Sequence, residues 1–188
     1  MIHLVLLSAP RSSGKSTVCQ RFAARAREAG LRVGGIYAPA RTDDAGKKAG
    51  IDAVDAFTDE RRPLAQVLTD PTTATVGQYR FDEAAMAWAL DKVLAALDSP
   101  IDSVVIDEIG SLELAQNRGY APALDRLATA KVSSGLVVVR SELLTQLQDR
   151  LRDIQPLTVT LTRTNRDQLP ARILDEIWAS VAQRWQEN

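Results

Sequence analysis

Histidine and cysteine are almost missing from this chain of 188 residues: His3 and Cys19 are the only ones. One histidine rules out a histidine-rich zinc site and leaves a Ser-His-Asp arrangement with no spare base. One cysteine rules out an internal disulfide and fits a reducing compartment, so a cytoplasmic location is expected. Charge of one sign is missing too, since the net charge is −1. A broad basic surface is therefore not implied, and no nucleic-acid partner is expected. No apolar run reaches the roughly 18 residues of a membrane span. The opening MIHLVLLSAP is apolar but short, has no basic segment before it, and leads straight into SSGKST; it reads as a buried strand rather than a signal peptide.

What is present is an ordinary globular balance, 45% hydrophobic and 25% charged residues. The length favours a single domain over residues 1–188. Apolar runs of strand length alternate with helical periodicity. Strands are expected at His3 to Leu7, Leu31 to Pro39, Ser103 to Ile106, Leu136 to Val139 and Leu157 to Leu161. Helices are expected from about Gly14 to Ala29 with Gly30 as terminator, and over 82–97, 121–130 and 143–151. A final helix carries Leu169, Ile173, Ile177, Val181 and Trp185 in steps of four, with Pro170 near its start. Residues 40–57 read as a β-hairpin insertion, and 58–80 as irregular with a short strand near 75–79. Continuous apolar strands between helices argue for a three-layer α/β fold with a mainly parallel sheet.

The first strand runs into Ala9-Pro10-Arg11-Ser12-Ser13-Gly14-Lys15-Ser16-Thr17. This follows the phosphate-loop pattern G-x-x-x-x-G-K-[ST] except that Ala9 replaces the first glycine. Such a loop wraps phosphate with backbone N–H groups, and the following helix end adds partial positive charge. Lys15 would reach the β- and γ-phosphate oxygens, and Ser16 would put its hydroxyl on Mg²⁺. Gly-Lys-[Ser/Thr] arises by chance on the order of 0.1 times in a chain this long, before the strand–loop–helix context is required. Downstream, the apolar strand Ser103 to Ile106 ends in Asp107-Glu108. An aspartate there holds Mg²⁺, and a glutamate just after it can orient and polarise water. That order favours hydrolysis over transfer. Glu113 is a further candidate for supporting the water or the metal, and Arg11 for leaning over the γ-phosphoryl oxygens.

With both motifs in hand, the chain resembles the small P-loop nucleoside-triphosphatase family that includes the thermophile and human cancer-related nucleoside-triphosphatases. Four segments carry the likeness: the phosphate loop, GGIYAPARTDDAGKKAGIDAVD (34–55), VVIDEIGSLEL (104–114) and TRTNRDQLP (162–170). The resemblance implies a P-loop NTPase fold and Mg²⁺-dependent hydrolysis of ATP, GTP and other triphosphates. It also implies that Asn165 and Arg166 frame the base. Taken alone, Asn165 is equally a helix N-cap. Gln168 stands where a guanine-reading Asn-Lys-x-Asp pattern needs aspartate, so guanine specificity is not predicted. Arg140 stands near the place of a family histidine. The site set is then Lys15 and Glu108 for catalysis, residues 9–17 with Asn165 and Arg166 for the nucleotide, and Ser16 and Asp107 for the metal. A monomer without membrane attachment is expected. Two alternatives stay open: a nucleotide or small-molecule kinase on the same fold, and a non-enzymatic nucleotide-binding accessory protein.

Overall fold

A computed structural model describes residues 2–68 and 78–186, the side chains of 183–186 excepted. Among the described residues, nine strands form one sheet. Its parallel part is β1 (His3–Ala9), β2 (Val33–Tyr37), β7 (Ser103–Ile109), β8 (Ser134–Arg140) and β9 (Leu157–Thr160). Its antiparallel part is β3 (Ala40–Thr42), β4 (Lys48–Asp55), β5 (Arg61–Val67) and β6 (Tyr79–Phe81). The order is β6-β5-β4-β2-β7-β8-β1-β9, with β3 paired to β4. Period-2 alternation explains the layering. Leu4 and Leu6 of β1, Val104 and Ile106 of β7, and Val137 and Val139 of β8 point into one core. Val5 and Leu7, Val105, and Leu136 and Val138 point into the other. Helices α2 (Glu83–Asp98), the single turn α3 (Ser111–Leu114), α4 (Ala121–Arg126) and α5 (Leu144–Arg150) cover the first core; α1 (Lys15–Glu28) and α6 (Leu169–Gln186) cover the second. Each fully buried leucine, isoleucine or phenylalanine contributes about 1.5–3 kcal/mol, so both cores hold the sheet from each side. Among the described residues, no helix is long and apolar enough to cross a membrane.

The expected elements are present with shifted ends. Asp82 caps α2 rather than starting it, its side chain accepting from the Ala85 N–H. The expected helix over 121–130 ends at Arg126, and Leu127–Thr129 continues as a 3₁₀ turn. Cys19 is buried beneath α1, as expected for an inert thiol, and burial pushes its pKa up. Trp88 packs partly against the first core, whereas Trp178 is exposed. The Trp185 side chain and the expected strand near 75–79, apart from Gln78 and Tyr79, lie outside what the structure describes.

The expected hairpin is present as β3 and β4. The irregular reading of the chain after it is overturned: β5 and β6 continue the hairpin into a larger antiparallel extension. β5 begins Arg61-Arg62-Pro63, which hides its strand character. Its charges have partners: Arg61 pairs with Asp52, and Arg62 pairs with Glu60 while stacking over Trp88 at 4.5 Å. Pro63 sits opposite Asp52, where the β4–β5 register shifts, a place where a missing N–H is tolerated.

Parallel register sets the functional edge. Ala9 of β1 lies opposite Arg140 of β8, and Ile106 of β7 opposite Val137 of β8. The carboxyl ends of three neighbouring strands thus deliver the phosphate loop, Arg140 and Asp107-Glu108 to one crevice, where open α/β sheets bind ligands.

Candidate active site

The phosphate loop is strained in the way such a cradle requires. Gly14 adopts φ 94° and Ser12 adopts φ 57°, both left-handed. A Cβ on Gly14 would also meet Arg166 Cδ at 3.2 Å. Ser12 holds the same handedness without glycine's freedom, at a cost of roughly 1–2 kcal/mol. Ala9 is still in β1 and has no left-handed backbone, so its methyl is accommodated. The Ser13 hydroxyl donates to the Pro10 carbonyl at 2.8 Å and ties the loop to itself. Helix α1 has neither a side-chain cap nor an acidic residue in its first turn. Its first N–H groups and positive dipole end are therefore directed at the crevice.

Lys15 is 6% exposed and folds back on the loop, donating to the Pro10 carbonyl at 2.8 Å and to the Ala9 carbonyl at 3.3 Å. Burial lowers its pKa, while the Glu108 and Asp107 carboxylates oppose that shift. Asp107 is 2% exposed. Its Oδ2 accepts the Ala38 N–H at 2.9 Å, and its Oδ1 is buried with no hydrogen-bond partner. Burial pushes its pKa up to about 6, against the pull of the Ala38 N–H and the nearby Ser16 hydroxyl.

That orphaned oxygen tests whether a metal fits. A buried carboxylate oxygen without a donor, close to the Ser16 hydroxyl and to Lys15, is a hard oxygen ligand in want of a cation. Among the described residues no cluster of three or more His, Cys, Asp or Glu could hold a metal by itself. A cation here would need water and phosphate oxygens to complete its shell, which is how Mg²⁺ binds. The residues fit that ion.

Glu108 is the backbone outlier of the site, a non-glycine residue at φ 88° where the β7–β8 register shifts between Ile106 and Ile109. The irregularity turns its side chain away from the β7 alternation. Arg140 Nε donates to Glu108 Oε1 at 2.8 Å, with 18% of the Arg140 and 31% of the Glu108 side chain exposed. Sequence reasoning missed this pair, although both residues were singled out. Glu113 proves to be structural: its Oε2 accepts the Gly110 N–H at 2.8 Å and its Oε1 the Tyr120 N–H at 3.3 Å. Both oxygens hold the 110–120 loop, each already accepting a backbone N–H.

Asn165 and Arg166 approach from the other side. The Asn165 amide binds its own loop, donating to the Thr160 carbonyl at 2.9 Å and accepting the Thr162 N–H at 2.8 Å. Its main-chain carbonyl accepts the N–H groups of Gln168 and Leu169 at the start of α6. Arg21 of α1 pairs with Asp167 at 2.8 Å and fixes this segment beside the phosphate loop. Arg166 thereby lies against Gly14. Arg11 is exposed at the mouth of the crevice, and Thr17 lines it. The crevice opens into a chamber of about 730 Å³ that includes residues 11–17, Asp107, Glu108 and Arg140 among its walls.

Similarity to known proteins agrees with this arrangement. A family model described as NTPase matches residues 4–174. The chain is 30% identical over 187 residues to nucleoside-triphosphatase THEP1 of Methanopyrus kandleri, covering 98% of this chain and 100% of the relative. It is 28% identical over 171 residues to nucleoside-triphosphatase THEP1 of Methanothermobacter thermautotrophicus, covering 91% and 94%. The solution structure of a human cancer-related nucleoside triphosphatase superposes with a TM-score of 0.74 at 25% identity, covering 96% of this chain and 99% of that one. THEP1 from Aquifex aeolicus shares the fold, with a TM-score of 0.70 at 14% identity over 93% and 98%.

Proposed function

The chain belongs to the NTPase family, and we propose that it hydrolyses nucleoside 5′-triphosphates to the diphosphate and inorganic phosphate. The observation that carries this reading is the convergence at one crevice of a phosphate loop, a buried Asp107 with one orphaned oxygen, and Glu108 on a strained backbone. The N–H groups of residues 11–17 bind the phosphates. Lys15 swings from the Ala9 and Pro10 carbonyls to the β- and γ-oxygens, a move its short list of neutral partners makes inexpensive. Ser16 and Asp107 would hold Mg²⁺, which when bound neutralises charge on the β- and γ-phosphate oxygens. Arg140 fixes one oxygen of Glu108, and Glu108 Oε2 orients the attacking water and receives its proton. Positioning and electrostatics do most of the work.

Arg166, held against Gly14, marks the side from which the nucleoside is gripped, with Asn165 holding the loop that presents it. A cytoplasmic monomer with no nucleic-acid partner fits the single buried cysteine and the net charge of −1. Sedimentation equilibrium checks the monomer, which should run at 20.5 kDa. Phosphate release across ATP, GTP, CTP and UTP, with and without Mg²⁺, tests the activity. Lys15→Ala should lose both nucleotide binding and turnover. Release that is unaffected by Lys15→Ala would remove the phosphate loop from the reaction.

A further inference from the structure

The chamber of about 730 Å³ includes the phosphate loop in its walls but extends well past it, and its size is within the range of small-molecule sites. Its phosphate end carries Lys15, Asp107, Glu108 and Arg140. Beyond them the walls change character. Ile51 of β4, Leu64 of β5, Tyr79 and Phe81 of β6, Met86 of α2 and Tyr120 before α4 line the far part. Most of this wall comes from the antiparallel extension, where Ile51, Ala65 and Phe81 stand side by side across three strands. Asn165 and Arg166 are not in it. On the proposed reading that Arg166 grips the nucleoside, the nucleoside leaves the loop on that side. The far chamber lies past Asp107, which would hold the metal and so marks the γ-phosphoryl end of the proposed site.

Two polar features in this apolar wall point to a ligand. Lys48, exposed at the start of β4, lines the chamber with its ammonium 5.1 Å from the centre of the Tyr79 ring and hydrogen-bonded to the Tyr79 side chain. Among the described residues it has no carboxylate partner, whereas Arg140 is matched by Glu108. Second, Tyr120 is 8% exposed and its hydroxyl has no hydrogen-bond partner. A buried hydroxyl left unmatched is destabilising, and a polar atom on a ligand would recover part of that cost. Of the remaining carboxylates, Glu113 has both oxygens taken by backbone N–H groups.

The geometry points to a second ligand site in the far chamber, for a small molecule with an aromatic or branched apolar body and one anionic group paired with Lys48. This rests on the reading that a triphosphate occupies the loop with its γ end toward Asp107. A ligand so seated borders the γ-phosphoryl group and displaces water from it, so it lowers hydrolysis without competing for the nucleotide.

The probe is 8-anilinonaphthalene-1-sulfonate, an aromatic body with one anion, followed by fluorescence on the full chain loaded with Mg²⁺ and a β,γ-imido triphosphate. Binding is expected alongside the nucleotide analogue, weakened at least about 10-fold by Lys48→Glu and by Tyr79→Ala. The dye should reduce kcat for phosphate release while leaving the nucleotide KM within about 2-fold. Melting curves establish that both variants fold, and calorimetry with the analogue measures nucleotide binding separately. Dye binding unchanged in both folded variants, or competitive displacement of the dye by the analogue, would overturn the site. Absence of phosphate release from every nucleotide would count against the proposed function instead, and the dye titration reads out regardless.

Discussion

Asp107 should destabilise the metal-free protein, and Asp107→Asn should relieve it. The carboxyl is 2% exposed, with one oxygen bonded to the Ala38 N–H and the other unpartnered. Its pKa stands at about 6, against an ordinary 3.8. The folded state thus binds the proton more tightly than the unfolded state. Stability conferred relative to the ionised form is present at low pH and is lost as pH rises from 3.8 through about 6. A shift of roughly two units corresponds to about 3 kcal/mol of destabilisation at pH 7. Asparagine removes the charge and keeps an acceptor for Ala38, but leaves its amide N–H group short of a partner, at a cost of roughly 1–2 kcal/mol. The net gain at pH 7 is then about 1–2 kcal/mol, or roughly 2–8 °C in Tm for a domain of this size. Thermal melts in EDTA from pH 4.5 to 7.5 measure it. The difference between variant and wild type should grow as pH rises. Mg²⁺ with a triphosphate analogue should raise the melting temperature of the wild type more than that of the variant. A variant that is less stable at pH 7 in EDTA, or a difference that stays flat with pH, would refute the reasoning.

Other perturbations follow from the same geometry. Gly14→Ala puts a methyl group at φ 94° against Arg166 Cδ; it should cost about 1–2 kcal/mol by chemical denaturation and weaken nucleotide binding, and unchanged affinity would show that the loop tolerates it. Arg140→Gln releases Glu108 Oε1; kcat for phosphate release should fall at least about 10-fold with a smaller change in KM, and an unaltered kcat would make the pair purely structural. Glu113→Ala orphans the Gly110 and Tyr120 N–H groups; it should lower stability by roughly 2–4 kcal/mol, and a loss below about 1 kcal/mol would mean that the 110–120 loop is held by other contacts.

How far the site was legible depends on whether its logic is local. The phosphate loop and Asp107-Glu108 are contiguous in sequence, each at the end of an apolar strand, so residue type and spacing announce them. The parallel core reads equally well because both sheet faces are covered and the strands are nearly all apolar. β5 does not, because Arg61-Arg62-Pro63 breaks the alternation and its charges are matched only in three dimensions, by Asp52, Glu60 and Trp88. The Arg140–Glu108 pair joins two strand tips 32 residues apart, and nothing local signals it. Glu113 and Asn165 show the reverse problem. Both are polar residues in conspicuous segments, and both spend their side chains on nearby backbone: Glu113 on Gly110 and Tyr120, Asn165 on Thr160 and Thr162. A sequence shows that a polar side chain is there, not that backbone N–H groups have already claimed it. The signal that could have exposed Glu113 is its spacing three residues after Gly110, the offset of a helix-start glutamate.

The central claim is that Glu108 prepares water for attack on a triphosphate held by the loop. Single-turnover phosphate release from Mg²⁺-ATP by the wild type and Glu108→Gln, with nucleotide affinity measured alongside, tests it most directly. Glu108→Gln is expected to bind nucleotide within a few-fold of wild type and to release phosphate about 100-fold more slowly, the scale of a lost general base. Equal release rates at equal affinity would contradict it.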